Sequence, residues 1–572
     1  MDIGVLRVYL RDYYSLYHTQ NKNGRRLHPV NVAPLVRYWT VVETGKFQKQ
    51  NKMRIQENCD RHGHARIGSG LESTTSSSGV ATKMSWPRTT LVIKPEMISQ
   101  EGFLRNLPCS LSRFRGEVHL STRKAAVNDN VFRHLTSVQF LDMPECKQTT
   151  ITDDAFRHLP KLRSLNMSRC RQTTITDEAF QHLTELTSLI MGECIQTTIT
   201  NDAFRHLKNL QFLFIHRCWQ TTITDAAFQH FSNLSSLNMS LCRQTMISDD
   251  AFRHLRNLQS LDMSMCKQRT ITSDAFQHLT NLPSLNMSGC DQETITDDAF
   301  RYLAKLQSLN ISGCIRSTIT DDAFQHLTNL QSLNMSRCRQ RVITNGAFLH
   351  MTRLQSLDMS SCDQETITNH AFQHLTNLQN LNMSYCKQIT IADDAFRHFP
   401  HLLSLDMSGC RQATISDNAF INLTSLHSLM MCSCDQESIT SYAFRHLKRL
   451  QVLDISGCKQ TTITNSAFLY MSNLQSLIMC GCNQETISND AFQHLTNLQF
   501  LNMSECNQTT ISDNAFKYFT NLQALNMSWC IQDTITDGAF RNLSNLKSLV
   551  MFGCNQETIT DDAFKHLVNL QK

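Results

Sequence analysis

Leu162-Arg-Ser-Leu165-Asn-Met167-Ser-Arg-Cys170-Arg-Gln-Thr-Thr-Ile175-Thr-Asp-Glu-Ala179-Phe180-Gln-His-Leu183-Thr-Glu-Leu186 is one period of a pattern that fills most of the chain. Its first part alternates apolar and polar at Leu165, Asn166, Met167 and Ser168, the period of a strand with one face in and one face out. Its second part offers a Thr or Asp cap, acids in the first turn, and apolar Ala179, Phe180 and Leu183 spaced for one face of a short helix. Each period therefore reads as strand, bend, short helix and return. The cysteine at its centre recurs every 24 residues from Cys146 to Cys554, eighteen times without an insertion or deletion. A fixed period of this length marks a solenoid, because one unit cannot bury its own apolar face and must stack on its neighbours.

Length alone would suggest several domains for 572 residues, but an array grows without starting a new core. Residues 1–90 carry 14 Lys and Arg against 6 Asp and Glu and read as a basic, disordered tail, with a linker at residues 71–80. Its charges are scattered, so ordinary solvation is the expected role and nucleic acid is not favoured as a partner. The rest of the chain has a net charge of −3. Residues 91–145 read as degenerate capping repeats: Ile98-Ser-Gln-Glu-Gly-Phe103 and Val127-Asn-Asp-Asn-Val-Phe132 mimic Ile-Thr-Asp-Asp-Ala-Phe, and Val118-His-Leu120 falls where a strand belongs. Residues 146–572 form the array. It stops at Leu567-Val-Asn-Leu570-Gln-Lys572, where the next strand would start, with no polar cap. A fragment, a frayed end, or a covering chain would each account for this, the last allowing self-association.

With every period equal in length, specificity must lie in substitutions within columns. The helix phenylalanine fills all eighteen turns, and the residue three before Cys is Met in fifteen, replaced by Ile215, Ile311 and Ile455. Both columns read as core. On the outward strand face, the residue four before Cys is Asn or Asp in thirteen turns, and the residue two before is Ser in twelve. Five turns break both rules: Ile190 with Gly192, Phe214 with His216, Met430 with Cys432, Ile478 with Cys480, and Val550 with Phe552. The first two are adjacent, which places Ile190, Ile195, Phe212, Phe214, His216 and Trp219 in one expected patch with the composition of a binding hot spot. Trp529, Ile531, Val550 and Phe552 make a weaker second one. Drift after tandem duplication is the competing account. The residue after the helix phenylalanine alternates Arg and Gln from Arg157 to Gln325, and Asp-Gln-Glu recurs at 291, 363 and 435, as copying of two-turn and three-turn blocks would leave them.

The pattern Leu-x-x-Leu-x-Met-x-x-Cys followed by Ile-Thr-Asp-x-Ala-Phe-x-x-Leu resembles the leucine-rich repeat over roughly residues 118–572. Its cysteine half is similar to the repeats of F-box substrate receptors, and its Ala-Phe half to the 24-residue repeats of extracellular receptors and BspA-like surface proteins. The resemblance implies an α/β fold: a curved right-handed solenoid with a parallel sheet on the concave face and short helices on the convex face. It implies ligand capture on the concave sheet but no single activity.

Catalysis is not expected. There is no Gly-x-Gly-x-x-Gly, phosphate-binding loop, nucleophile elbow or His-Glu-x-x-His, and isolated Ser, His and Asp are column members. The histidines of the helix column, His134 to His566, give way to Tyr302, Tyr470, Tyr518, Asn422 and Asn542, which a metal ladder would not tolerate. The pairs Cys432/Cys434 and Cys480/Cys482 stand two turns apart, about 10 Å, too far to share an ion. No metal or cofactor is expected. The expected function is a non-enzymatic protein-interaction scaffold that binds a protein partner. The alternatives are a substrate-recognition subunit of a ubiquitin ligase, which needs an F-box-like segment of which Leu107-Pro-Cys-Ser-Leu is only an echo, and a surface or pattern-recognition protein. The charged start of the chain, the cysteine usage and the crowded Asn-Met-Ser sites suggest a cytoplasmic or nuclear location, and no stretch is apolar enough to span a membrane.

Overall fold

The computed structural model describes Thr90–Ile93, Glu117–Leu120 and most of residues 128–571, apart from short stretches that mainly follow the repeated cysteines. The expected tail lies outside the described residues. All described residues belong to one compact unit, Ser85–Lys572.

Twenty strands form one parallel sheet among the described residues, beginning with Thr90–Ile93 and Glu117–Leu120 and ending with Ser548–Val550. From Phe140–Asp142 onward each strand pairs with its equivalent one period later, while the first two pairings are offset by 27 and 23 residues. Leu141, Leu165, Leu189 and Leu213 are register partners in succession, and so are Leu429, Leu453 and Leu477. The strict 24-residue period sets this register: a slip by one residue would turn the leucine outward and the polar residue into the core. The return path of each period is too short for a long helix. It holds one short turn, α-helical at Asp129–Phe132, Asp153–Phe156 and Asp225–Phe228, and 3-10 in most other periods, from four residues at Asp177–Phe180 and Asp249–Phe252 to six at Asp513–Tyr518 and Asp561–His566. Short two-residue strands add a second layer of pairing at the isoleucine column, as between Thr462–Ile463 and Thr486–Ile487.

The core is a stack of columns. Leu165, Met167, Cys170, Ile175, Ala179, Phe180, Leu183 and Leu186 are all buried, and their equivalents repeat along the array. Each fully buried leucine, methionine or phenylalanine contributes about 1.5–3 kcal/mol. Successive phenylalanines stack at 6.1 Å between Phe348 and Phe372, 6.2 Å between Phe420 and Phe444, and 5.9 Å between Phe468 and Phe492. Neighbouring parallel strands lie about 4.8 Å apart. The helix side is therefore the longer side of each period, so the array curves with the sheet on its concave face; the crossovers are right-handed, as the twist of parallel strands requires.

Two polar ladders run through the stack. From Cys170 to Cys554 each repeated cysteine thiol donates to the carbonyl of the residue 27 positions earlier, at 3.2 Å from Cys194 to Met167 and 3.2 Å from Cys362 to Met335. The described cysteines are free thiols. Burial pushes Cys194 up to about 12 and Cys338 up to about 11, so these side chains are small, buried donors rather than nucleophiles. On the helix side, the cap threonine of one period is held by the first acid of the period before. Thr176 N and Oγ1 donate to Asp153 at 2.8 and 2.6 Å, and Thr272 does the same to Asp249 at 2.7 and 2.6 Å. The same threonine oxygen accepts from Glu178 N within its own turn. The first-turn acids thus do more than complement a helix dipole: they tie consecutive periods together.

Candidate functional site

The outward face of the sheet is built by the residues four and two before each cysteine, and a hydrogen bond joins them. In twelve turns the Asn or Asp Oδ1 accepts from the backbone N–H of the serine two residues on, at 3.0 Å for Asn166 and Ser168, 3.0 Å for Asn334 and Ser336, and 2.9 Å for Asp454 and Ser456. This bond closes the strand into the bend. The next residue is left-handed in all eighteen turns, from φ 52° at Arg217 to φ 72° at Gly553, and six of the eighteen are glycine. The glycines at 289, 313, 409, 457, 481 and 553 were the visible sign of that conformation.

The five deviant turns lack the acceptor. At the first two, Ile190 and Phe214 are register partners on adjacent strands. Phe212, Phe214 and His216 are half-buried, and Ile195, just past Cys194, is 52% exposed. Ile190 departs from the sequence expectation: at 8% exposure it is buried, flanked in register by the larger Phe214, and it packs rather than projects. Trp219 lies outside the described residues. Gly192 and His216 depend on each other, because a Cβ on Gly192 would stand 2.0 Å from His216 Cε1. The imidazole occupies the space that a serine at 192 would need.

Beside this patch, the left-handed column carries alternating charges. Arg169 Nε bonds Glu193 at 2.9 Å and its terminal nitrogen reaches Glu145 at 3.2 Å, while Arg217 meets Glu193 at 3.4 Å. The patch is thus bordered by a neutralised ladder of Glu145, Arg169, Glu193 and Arg217, which sequence reasoning did not single out.

The second patch is the more exposed one. Trp529 is 54% and Phe552 70% exposed, with Val550 beside them, and the two rings meet edge to face at 5.3 Å. Gly553 makes room for Trp529, since a Cβ there would stand 2.5 Å from Trp529 Cε3. Gly409 accommodates Tyr385 in the same way. Ile531 lies outside the described residues.

Other chemistry is sparse. Among the described residues no three His, Cys, Asp or Glu side chains converge as metal ligands would. Cys432 is partly exposed, and burial still holds its thiol above the ordinary value. Asp454, in register between Met430 and Ile478, has its carboxyl raised by burial, against the opposing bonds from Ser456. A shallow polar hollow lined by His427, Arg449, Gln451, Asn473, Gln475, Asn497 and Gln499 lies along the residues that lead into the strands. Among the described residues no helix is long and apolar enough to cross a membrane.

No curated protein sequence matches the chain. Among solved structures, the TLR13–ssRNA13 complex superposes with a TM-score of 0.60 at 22% identity, covering 78% of this chain and 70% of that one. A leucine-rich-repeat protein of Leptospira interrogans gives a TM-score of 0.55 at 19% identity, covering 74% of this chain and 98% of that one. The Toll–Spätzle complex of Drosophila gives 0.57 at 16% identity, covering 78% of this chain and 61% of that one. At these identities the likeness is one of fold. The model of the BspA-type leucine-rich repeat region matches in six overlapping copies, at residues 114–234, 197–317, 293–427, 341–475, 389–523 and 461–572. With that match spanning the whole stacked array, the chain belongs to the BspA-type leucine-rich-repeat family.

Proposed function

We propose that this protein is a non-enzymatic interaction scaffold that holds a protein partner on its concave sheet, anchored by Ile195, Phe212, Phe214 and His216, with Ile190 packed beneath and Trp219 adjacent in sequence. One observation carries the reading. At two adjacent turns the strand-closing Asn–Ser bond is given up, and partly exposed aromatic and aliphatic side chains stand in its place, with Gly192 and His216 fitted to each other. Apolar and aromatic groups grouped in this way are what a desolvated interface core needs. That two similar folds are complexes, one with an RNA and one with Spätzle, supports a binding role for such arrays.

The test restores the majority sequence at one turn. The double change Phe214→Asn and His216→Ser rebuilds the Asn–Ser pair and removes the anchor. Photo-crosslinking from position 212 in the parent, followed by mass spectrometry, identifies the partner. Loss of that crosslink in the double variant, with circular dichroism unchanged, is the expected result. Undiminished capture would sink the patch.

A further inference from the structure

The helix side carries a second ordered row that the sheet-face reading does not use. The residue after the buried phenylalanine is Arg in every second turn of the first half, and the next is a histidine at fourteen positions between 134 and 566. Four of these form the same pair: the arginine Nε–H donates to Nε2 of the following histidine, at 3.3 Å for Arg157 and His158, 2.8 Å for Arg205 and His206, 2.9 Å for Arg397 and His398, and 2.8 Å for Arg445 and His446. Such a bond requires a neutral imidazole with a lone pair on Nε2. Protonation removes the acceptor and leaves a guanidinium beside an imidazolium, two groups that only donate. An oxyanion seated between them accepts from both and relieves their repulsion.

At the first and last of the four pairs the surroundings keep this state for acid conditions. Burial, then Arg157 and Arg133, holds His158 below its ordinary value against Asp154 and Asp129. Asp154 is engaged by Arg157 at 3.1 Å, and Asp129 by Thr152 at 2.7 Å. Burial, then Arg445 and Lys448, lowers His446. His230, between the pairs, is lowered by burial and by His206 and Lys208 against Asp202, so adjacent periods feel each other's charge. Charging the fourteen column histidines takes residues 91–572 from a net −3 to +11.

We propose that the helix side is an acid-gated binding row for a linear sulfated polysaccharide, its sulfates seated between the guanidinium and imidazolium of the Arg–His pairs. The four pairs lie along one line on the convex side, two periods apart within each of two sets and eight periods between the sets, with periods about 6 Å apart by the phenylalanine stack, so a flexible linear polymer follows them where a flat bilayer meets only a few turns. Single-stranded nucleic acid would need aromatic stacking platforms. The aromatics of this row are isolated and two are occupied, with Arg301 over Tyr302 at 4.5 Å and Lys517 over Tyr518 at 4.7 Å. Sulfate, unlike carboxylate, keeps its full charge at pH 5.

The experiment measures heparin binding to the full chain at pH 7.5 and pH 5.0 at fixed salt. The basic residues 1–90 contribute at both, so the comparison is with the variant carrying His→Gln at 158, 206, 398 and 446. The parent is expected to tighten on the order of tenfold on acidification, and the variant to lose most of that step. A second variant, Arg→Gln at 157, 205, 397 and 445, keeps every imidazole and is expected to lose the pH 5.0 affinity as well. An acid step undiminished in either variant overturns the proposal. So does an equal, variant-sensitive step with a single-stranded oligonucleotide or with anionic phospholipid vesicles, which would assign the row to another class of partner.

Discussion

The two sides of each period solve the same problem, closing a chain reversal, with bonds of different reach. On the sheet side the closing bond lies within one turn, from Asn334 Oδ1 to Ser336 N. On the helix side it lies between turns, from Thr272 back to Asp249. A bond internal to one turn can be surrendered by that turn alone, and six turns surrender it: five have lost the acceptor, and in the first Pro144 has no N–H to donate. A bond shared by two turns cannot be lost without weakening a neighbour, and among the described residues substitutions at the acid's place keep a polar partner: Asn201 serves Thr224, Ser273 serves Thr296, and Asn489 serves Ser512. Variation gathers where the energetic consequence stays local, and the sheet face is the side that varies.

The largest effect that would sharpen this contrast is Asp249→Ala. It removes two hydrogen bonds to the next turn and is expected to cost about 2 kcal/mol, with amide exchange accelerated in both the Cys242 and Cys266 turns. Protection lost in one turn only would break the contrast. Gly409→Ala comes next, at about 1–2 kcal/mol, since φ is 68° there and the new methyl would stand 2.4 Å from Tyr385 Cδ1. Tyr385→Ser should recover the steric part of that loss in thermal melts and leave the backbone part. Asn334→Ala is expected to cost about 1 kcal/mol and to speed exchange in its own turn alone. Smallest is the Phe214→Asn and His216→Ser pair, which should leave stability within about 0.5 kcal/mol of the parent, because the restored Asn–Ser bond offsets the lost apolar contact. A larger destabilisation there would mean that the deviant turn is a packing solution and not a binding one.

Much of this was legible in the columns. Period-2 alternation around Leu165 and Met167 gave the strand, and buried phenylalanine spacing gave the return turn, because both report which side chains leave water. The patch was legible only in composition. Ile190 has the same apolar character as Ile195, yet one is buried and the other exposed, since a neighbouring strand brings Phe214 against the first. The left-handed column shows in the sequence only at its six glycines, because its other twelve residues are not glycine and tolerate the conformation at a cost. The fit of Gly192 to His216 joins residues 24 apart, and no local pattern announces it.

The sequence by itself determined the period, and with it the register, the core and the family, because a one-dimensional stack is specified by which residues recur and at what spacing. Only the tertiary structure decided which polar groups bond between turns and which deviant side chains reach solvent. Those depend on distances between residues one period apart, set by the curvature of the stack and not by the order of residues along it.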